Sequence, residues 1–224
     1  MALRGETVRS RAAHAADEIR EAIRDGRYPP GTRLVERRLA AELGTSHIPV
    51  REALARLVEE GLVERHPHRS ARVAEPGERE LDELVSLRTA LEQLVVVRVQ
   101  ERLTARDEAE LRELIARMER AAERGDPRRV LAFDRRFHER LWELSNHALL
   151  MGVATQLRAR IDAFQHTVLA SLAPAALRDR AHAHVPLLDA IAGGDADAAR
   201  TAAAEHIAAA ARLWPRRGGA ERDG

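Results

Sequence analysis

Four titratable side chains fall on the predicted inward faces of helices in the second half of the chain: Asp134, His138, His184 and His206. Asp134 and His138 are one helical turn apart, on a face that is otherwise apolar. A buried carboxylate without a partner is costly or changes its protonation. A shared cation removes that cost, because one carboxylate oxygen and three neutral imidazoles suit Zn, Ni, Mn or Fe and leave coordination positions open. The spacing alone leaves an alternative, in which each histidine bonds a backbone carbonyl.

The region that carries these residues is helical by pattern from Glu78 to about Trp214. Apolar residues recur there every three or four positions, and Thr104 with Asp107 has the pattern of a capping box. Asp126-Pro127 is a typical helix start. We predict a bundle of about six helices, at about residues 78–102, 104–125, 127–145, 148–171, 175–192 and 195–214.

The segment from Leu34 to Val73 has a different pattern, which indicates two short helices, a third helix and a basic hairpin. Gly44 ends a helix, and Pro49 is tolerated in the first turn of the next one. The runs Leu62–Arg65 and Ala71–Val73 resemble strands and flank a turn rich in histidine and arginine. This order predicts a winged helix-turn-helix that binds double-stranded DNA through the major groove and the phosphates. The alternatives are a helix-turn-helix used only for packing and a turn that is merely solvated.

The composition favours a mainly α protein without disulfides. Of the 224 residues, 45% are hydrophobic and only 3% are aromatic, which suits helices with small aliphatic cores. Cysteine is absent, so disulfides, zinc ribbons and thiol catalysis are excluded. We expect a cytoplasmic protein that makes no membrane contact, because no segment resembles a signal peptide or approaches the ~18 apolar residues of a membrane span.

The charge of the N-terminal region bears on how it could bind DNA. Lysine is absent, and up to Glu75 there are 14 arginines against 12 acidic residues. Such a small excess means that DNA affinity must come from where the arginines point and from pairing two subunits. We therefore expect a homodimer.

The stretch Ile19–Val73 resembles the N-terminal domain of GntR-type bacterial transcription regulators. The resemblance is carried by Gly26–Leu34 (GRYPPGTRL), by Leu39-Ala40 and by Pro49–Leu54 (PVREAL). The family usually has Ser-Arg-Thr-Pro where this chain has Ser46-His47-Ile48-Pro49, so the side chain that would fork onto a guanine edge is absent. The DNA-contacting residues that the resemblance implies are Arg37, Ser46, His47, Ile48 and Arg51, with His68 and Arg69 at the wing tip.

The region Glu78–Leu213 resembles the FCD domain, the effector-binding domain of the FadR branch of GntR regulators. The matching marks are Arg88-x-x-x-Glu92, Phe133-Asp134-x-x-Phe137-His138, Ser145-Asn146, His184, Leu188–Ile191, Gly194-Asp195 and His206-Ile207. The resemblance implies that Asp134 and the three histidines bind a divalent metal, with zinc as the first candidate and nickel, manganese or iron as the others. Ala183 departs from the family, since many relatives have glutamate there, in a position that can orient a ligand.

The same resemblance implies a small organic acid as the effector, bound at an open metal position. Arg88 is the candidate to bind its carboxylate as a fork, with Asn146 nearby. The alternative for Arg88 is an intrahelical ion pair with Glu92.

Together these features predict a mainly α transcription regulator and no enzyme. Residues 1–75 are expected to form the winged helix-turn-helix, residues 78–214 an all-helical effector-binding and dimerisation domain, and residues 215–224 a disordered tail. We expect the homodimer to bind a DNA operator and to respond to its effector as a repressor or an activator. Two alternatives are a DNA-binding dimer with a purely structural metal and a metal-dependent hydrolase, which would need a base that the sequence does not supply as His-Glu-x-x-His.

Overall fold

The computed structural model describes residues 2–65 and 71–214 of the chain. The chain divides into two compact units, one of residues 1–75 with 159–167 and the other of residues 76–158 with 168–224. The expected wing turn at residues 66–70 and the expected tail at residues 215–224 lie outside the described residues. Among the helices that are described, none is both long and apolar enough to cross a membrane.

The N-terminal 75 residues combine helices with a small sheet. The helices are α1 (Ala2–Arg24), α2 (Glu36–Glu42) and α3 (His47–Glu59). The strands are β1 (Arg33–Leu34), β2 (Val63–Glu64) and β3 (Ala71–Val73), which form an antiparallel sheet in the order β1-β3-β2. Ile19, Leu39 and Leu54 belong to one aliphatic core that joins the three helices. Burying each such side chain contributes about 1.5–3 kcal/mol, so this core fixes the position of α3.

The winged helix-turn-helix is present, but its helices are ordered differently from the prediction. Residues 34–73 contain two helices rather than three, because the third helix of the fold, α1, precedes them. The two predicted strands of the hairpin are present as β2 and β3. β1 has no counterpart in the prediction, since two residues are too short to show an alternating pattern.

The second unit is entirely helical in its described part. Its helices are α4 (Glu78–Gln100), α5 (Ala105–Glu123), α6 (Pro127–Leu144), α7 (Ala148–Ser171), α8 (Pro174–His182), α9 (His184–Ala192) and α10 (Ala196–Ala211). Residues 159–167 of α7 belong to the first unit. Two predicted helix starts are confirmed. Thr104 and Asp107 form a reciprocal capping box at α5, and the Asp126 carboxylate accepts from the Arg129 N–H at α6.

The segment predicted as one helix at residues 175–192 is two helices, α8 and α9. Pro186 explains the break, because a proline inside a helix lacks an N–H and its ring clashes with the carbonyl four residues earlier. That carbonyl belongs to His182, the last residue of α8. Residues 76–214, all of which are described, therefore hold seven helices where about six are expected, and His184 begins a helix of its own.

Candidate functional site

Three histidines from three helices meet inside the second unit. His138 lies on α6, His184 on α9 and His206 on α10, and one ring nitrogen of each lies within 4.8 Å of the others. The centroids of their rings are 4.5 to 5.7 Å apart. All three side chains are buried. The structure thus brings together the three histidines that the sequence places on separate helix faces.

An acceptor faces the Nδ1 atom of each of these rings. His184 Nδ1 is 3.0 Å from the Ala181 carbonyl oxygen, and His206 Nδ1 is 3.2 Å from that of Ala183. Since a carbonyl only accepts, the proton of a neutral His206 ring is assigned to Nδ1, which leaves a lone pair on its Nε2. His138 Nδ1 has no hydrogen-bond partner and lies 3.5 Å from Glu92 Oε1, an ion-pair distance. Such outer contacts are the ones that orient histidines which ligate metals.

The Nε2 atoms carry the observation that favours a cation. His206 Nε2 is buried and has no hydrogen-bond partner. His184 Nε2 is 3.0 Å from Asp134 Oδ1, and burial lowers the pKa of His184, which favours the neutral ring. His184 has an acceptor at each ring nitrogen, so a neutral ring can donate to only one of them, and a cation at Nε2 would satisfy the contact with Asp134. Three imidazole nitrogens beside a carboxylate are a donor set that suits Zn²⁺ and its neighbours in the transition series.

Asp134 lies beside the histidine group and is held by two arginines. Its Oδ2 accepts a hydrogen bond from Arg158 Nη2, and its Oδ1 accepts one from Arg180 Nη2 at 3.0 Å. Burial alone would raise the pKa of Asp134, but the charges of Arg158 and Arg180 hold that pKa well below its usual value. Asp134 is therefore ionised and bonded on both oxygens.

Arg88 reaches the same cluster from α4. Its Nη2 is 3.4 Å from His138 Nε2, and its Nε is 3.8 Å from Glu92 Oε1, so the intrahelical pair with Glu92 coexists with a position beside the histidines. Burial, together with the charge of Arg158, lowers the pKa of Arg88 to about 10. The buried cluster thus contains three guanidinium groups, from Arg88, Arg158 and Arg180.

Asn146 occupies a different environment. It is exposed in the turn between α6 and α7, with a backbone φ of 49°, a left-handed conformation that asparagine tolerates better than most residues. Asn146 is therefore not grouped with the buried histidines, and its side chain suits the left-handed backbone of this turn.

The predicted DNA-contacting residues of the helix-turn-helix are exposed. Ser46 precedes α3, His47 and Ile48 begin it, and Ile48 is 64% exposed. Arg51, one turn further, is exposed and pairs with Glu36 at 3.2 Å. Arg37 is exposed on α2. The two predicted wing residues, His68 and Arg69, lie outside the residues that the structure describes.

Comparison with known families decides what kind of protein this is. Residues 11–73 match the family described as "Bacterial regulatory proteins, gntR family", and residues 83–209, more than half of the chain, match the FCD domain. The chain is a GntR-family regulator of the FadR type. The regulator thus combines a DNA-binding helix-turn-helix with an FCD domain and is not an enzyme.

Relatives of this regulator share most of its length. The HTH-type transcriptional regulator McbR of Escherichia coli is 34% identical over 84% of this chain and 86% of its own. The "Probable D-xylose utilization operon transcriptional repressor" of Paenarthrobacter nicotinovorans is 34% identical over 88% of this chain and 86% of its own. The solved structure of E. coli McbR/YncC superposes with a TM-score of 0.79 and 32% identity, covering 91% of this chain and 96% of that one.

Two residues of the buried cluster in this regulator are absent from the sequence-based prediction, Arg158 and Arg180. Both are charged and therefore look like surface residues. The spacing did give an indication, because Arg180 lies four residues before His184 and Arg158 lies four residues after buried Ala154. A charged residue that falls on the buried face of a predicted helix is a candidate for a buried ion pair.

Proposed function

We propose that this regulator binds a double-stranded DNA operator as a homodimer, and that a small carboxylate metabolite bound beside a divalent cation in the FCD domain controls its operator affinity. The observation that carries the proposal is the group of three buried histidines whose ring nitrogens lie within 4.8 Å of one another. A pair of Nδ1 contacts to backbone carbonyls orients two of the rings. Such a preorganised donor set is typical of a metal centre.

His138, His184 and His206 would hold the cation, with Asp134 as the adjacent carboxylate. When bound, a divalent cation offers open coordination positions that a carboxylate oxygen can occupy. The residues of this chain then determine what else the site accepts. Arg88, 3.4 Å from His138, supplies a positive charge and hydrogen-bond donors at the edge of the histidine group.

The guanidinium groups favour an effector site over a purely structural metal. A structural site is closed by its own ligands and needs no further cationic donors. Here Arg88, Arg158 and Arg180 are all buried within the cluster. Two buried carboxylates, Glu92 and Asp134, oppose only part of this charge, and a divalent cation would add two more positive charges, which an anionic ligand would offset.

DNA binding is proposed to use the exposed start of α3. Ser46, His47 and Ile48 are positioned to approach base edges in the major groove, and Arg51 with Arg37 to approach phosphates. Because the N-terminal region has almost no net charge, two such surfaces in one dimer would be needed for firm binding. Effector binding would then shift operator affinity by about 1–3 kcal/mol, a typical coupling free energy.

The test uses the full-length chain. An operator is first selected from a randomised duplex library, and the metal content of the purified protein is measured. Operator affinity is then compared with and without acetate, malonate, succinate, citrate and D-xylose, before and after chelation. The proposal predicts that an acid changes the affinity and that chelation abolishes the change.

Three results would contradict parts of this proposal. If none of the compounds changed operator affinity, the protein would bind DNA without control by an effector. A response to D-xylose alone would refute the carboxylate class, and a response that survives chelation would refute the role of the cation. Light scattering of the free protein tests the homodimer, which a monomeric mass would contradict.

A further inference from the structure

Two buried arginines approach Asp134 from different helices. Arg158 lies on α7 and Arg180 on α8, and their side chains are 3% and 5% exposed. Each donates to one oxygen of the same carboxylate. The carboxylate is thus enclosed by two guanidinium groups on one side and by His184 on the other.

Arg180 has more donors than the protein uses. A guanidinium carries five N–H donors, and the Nη1 group of Arg180 is buried without a hydrogen-bond partner. A buried donor that lacks a partner destabilises the folded protein, and more so when it is charged. An acceptor group of a ligand would remove this cost. The unpartnered nitrogen belongs to a side chain that already borders the histidine group through Asp134.

The charges of the cluster also favour an anion. Arg88, Arg158 and Arg180 are opposed by two buried carboxylates, those of Glu92 and Asp134. Three positive charges against two negative charges leave a net charge of +1. A divalent cation on three neutral histidines would add two positive charges in a low-dielectric interior. A ligand with one or two negative charges would offset them.

We propose that Arg158 and Arg180 bind the acidic group of the effector, and that Asp134 makes this binding and that of the cation mutually reinforcing. The inference rests on the proposed function, because it assigns residues to the effector of that site. Its basis is that Asp134 Oδ1 lies 3.0 Å from Arg180 Nη2 and also 3.0 Å from His184 Nε2. A cation held by the histidines draws on the same oxygen that Arg180 uses.

The sharing has a thermodynamic consequence. A cation beside Asp134 withdraws electron density from its oxygens and weakens their attraction for the two guanidinium groups. Those groups then bind an external carboxylate more strongly, preferably through two parallel hydrogen bonds. Linkage requires the reverse effect as well, so an anion on Arg158 and Arg180 raises the affinity for the cation by the same factor.

The experiment measures zinc affinity of the full-length protein by competition with a chromophoric chelator. The measurement is made alone and with saturating acetate, malonate, succinate or citrate, corrected for the zinc that each acid binds in solution. We expect at least one acid to raise zinc affinity about tenfold, within the usual range of coupling between sites. Succinamide, the uncharged amide of succinate, should have no effect.

Variants assign the effect to residues. Arg180→Gln should retain zinc binding and lose the response to the acid, while Arg180→Lys should keep part of it, because lysine retains the charge without the fork. Arg178→Gln is the matched control, since Arg178 is exposed on the same helix. Circular dichroism verifies that each variant is folded, and the lysine variant together with the native protein decides the matter if Arg180→Gln does not fold.

Zinc affinity that no acid changes, or an equal response in the native protein and the folded Arg180 variants, would overturn the inference. The outcome is separable from that of the proposed function. An effector that releases operator DNA equally from the native protein and from Arg180→Gln would leave regulation by a metabolite intact and refute only this assignment.

Discussion

Arginine side chains have opposite environments in the two units of the chain. Arg51, in the first half of α3, is 67% exposed and pairs with Glu36, whereas Arg158 and Arg180 are at most 5% exposed and pair with Asp134. An exposed pair is screened by water and contributes about 0–1 kcal/mol. Breaking a buried pair by removing one partner costs about 3–5 kcal/mol. The first kind of pair exchanges readily for a phosphate, and the second kind persists until a specific ligand replaces it.

This difference matches what each proposed site would have to recognise. DNA presents many similar phosphates, so cations that exchange partners easily are suitable, and selectivity is left to the side chains that reach bases. A small acid presents one or two charged groups, which a rigid pocket can distinguish by geometry. Substitutions and metal removal would test the contrast between exposed and buried arginine pairs, and the loss of a buried counter-charge is expected to have the largest effect.

Replacing the shared carboxylate should give the largest loss of stability. With a chelator present, Asp134→Asn should lower the free energy of unfolding by about 3–5 kcal/mol, because Arg158 and Arg180 lose their buried counter-charge. Urea denaturation followed by circular dichroism measures this. Asp189→Asn is the matched control, since Asp189 is half-exposed and paired with Arg112, and should cost less than about 1 kcal/mol. Equal losses of unfolding free energy in the two variants would show that the buried and exposed ion pairs do not differ in their contribution to stability.

Metal removal should come next. Zinc at about 100 times its dissociation constant should stabilise the folded protein by about 2.7 kcal/mol, a gain that a chelator removes. His206→Ala should abolish this gain in a thermal melt, because the ring that it removes has a buried, unpartnered Nε2. His182→Ala should retain it, since the His182 side chain is 70% exposed and pairs with Glu119. Zinc-dependent stabilisation that survives in His206→Ala would place the cation elsewhere.

Among the exposed arginines, Arg51→Ala should weaken binding to the operator by about tenfold and should also weaken binding to unrelated DNA. The free energy of unfolding should change by less than about 0.5 kcal/mol. The slope of affinity against salt concentration should become shallower by about one unit. Arg79→Ala provides the control, because Arg79 is an exposed arginine of α4 with a comparable ion pair to Glu83. A loss of stability without a loss of DNA affinity would mean that Arg51 is structural.

The smallest effect concerns Glu36, which pairs with both Arg51 and Arg65. Glu36→Gln should raise DNA affinity a few-fold at low salt, because it removes a negative charge that competes with phosphate for two arginines. Fluorescence anisotropy over a range of salt concentrations measures this, and the gain should vanish at high salt. An unchanged or lower affinity would indicate that Glu36 orients Arg51 for DNA instead of competing for it.

Local chemistry explains which features could be predicted from the sequence. The capping box of Thr104 and the start at Asp126 depend on residues three positions apart, and both are present. The inward faces of His138, His184 and His206 follow from helical periodicity. Periodicity offers a signal for Arg158 and Arg180 but could not place them, because a charged residue is buried only where another helix brings its partner. That partner, Asp134, lies 24 and 46 residues away in the chain.

The break between α8 and α9 has a consequence for anyone who would move this site to another protein. Pro186 lacks an N–H and so separates α8 from α9. The carbonyl oxygens of Ala181, near the end of α8, and of Ala183, just before α9, lie at this break and face the Nδ1 atoms of His184 and His206. Main-chain oxygens therefore orient the rings of His184 and His206, and no side-chain substitution can supply such atoms. Transplanting the three histidines onto a straight helical scaffold would carry over the proposed ligands without the helix break whose carbonyl oxygens orient two of them.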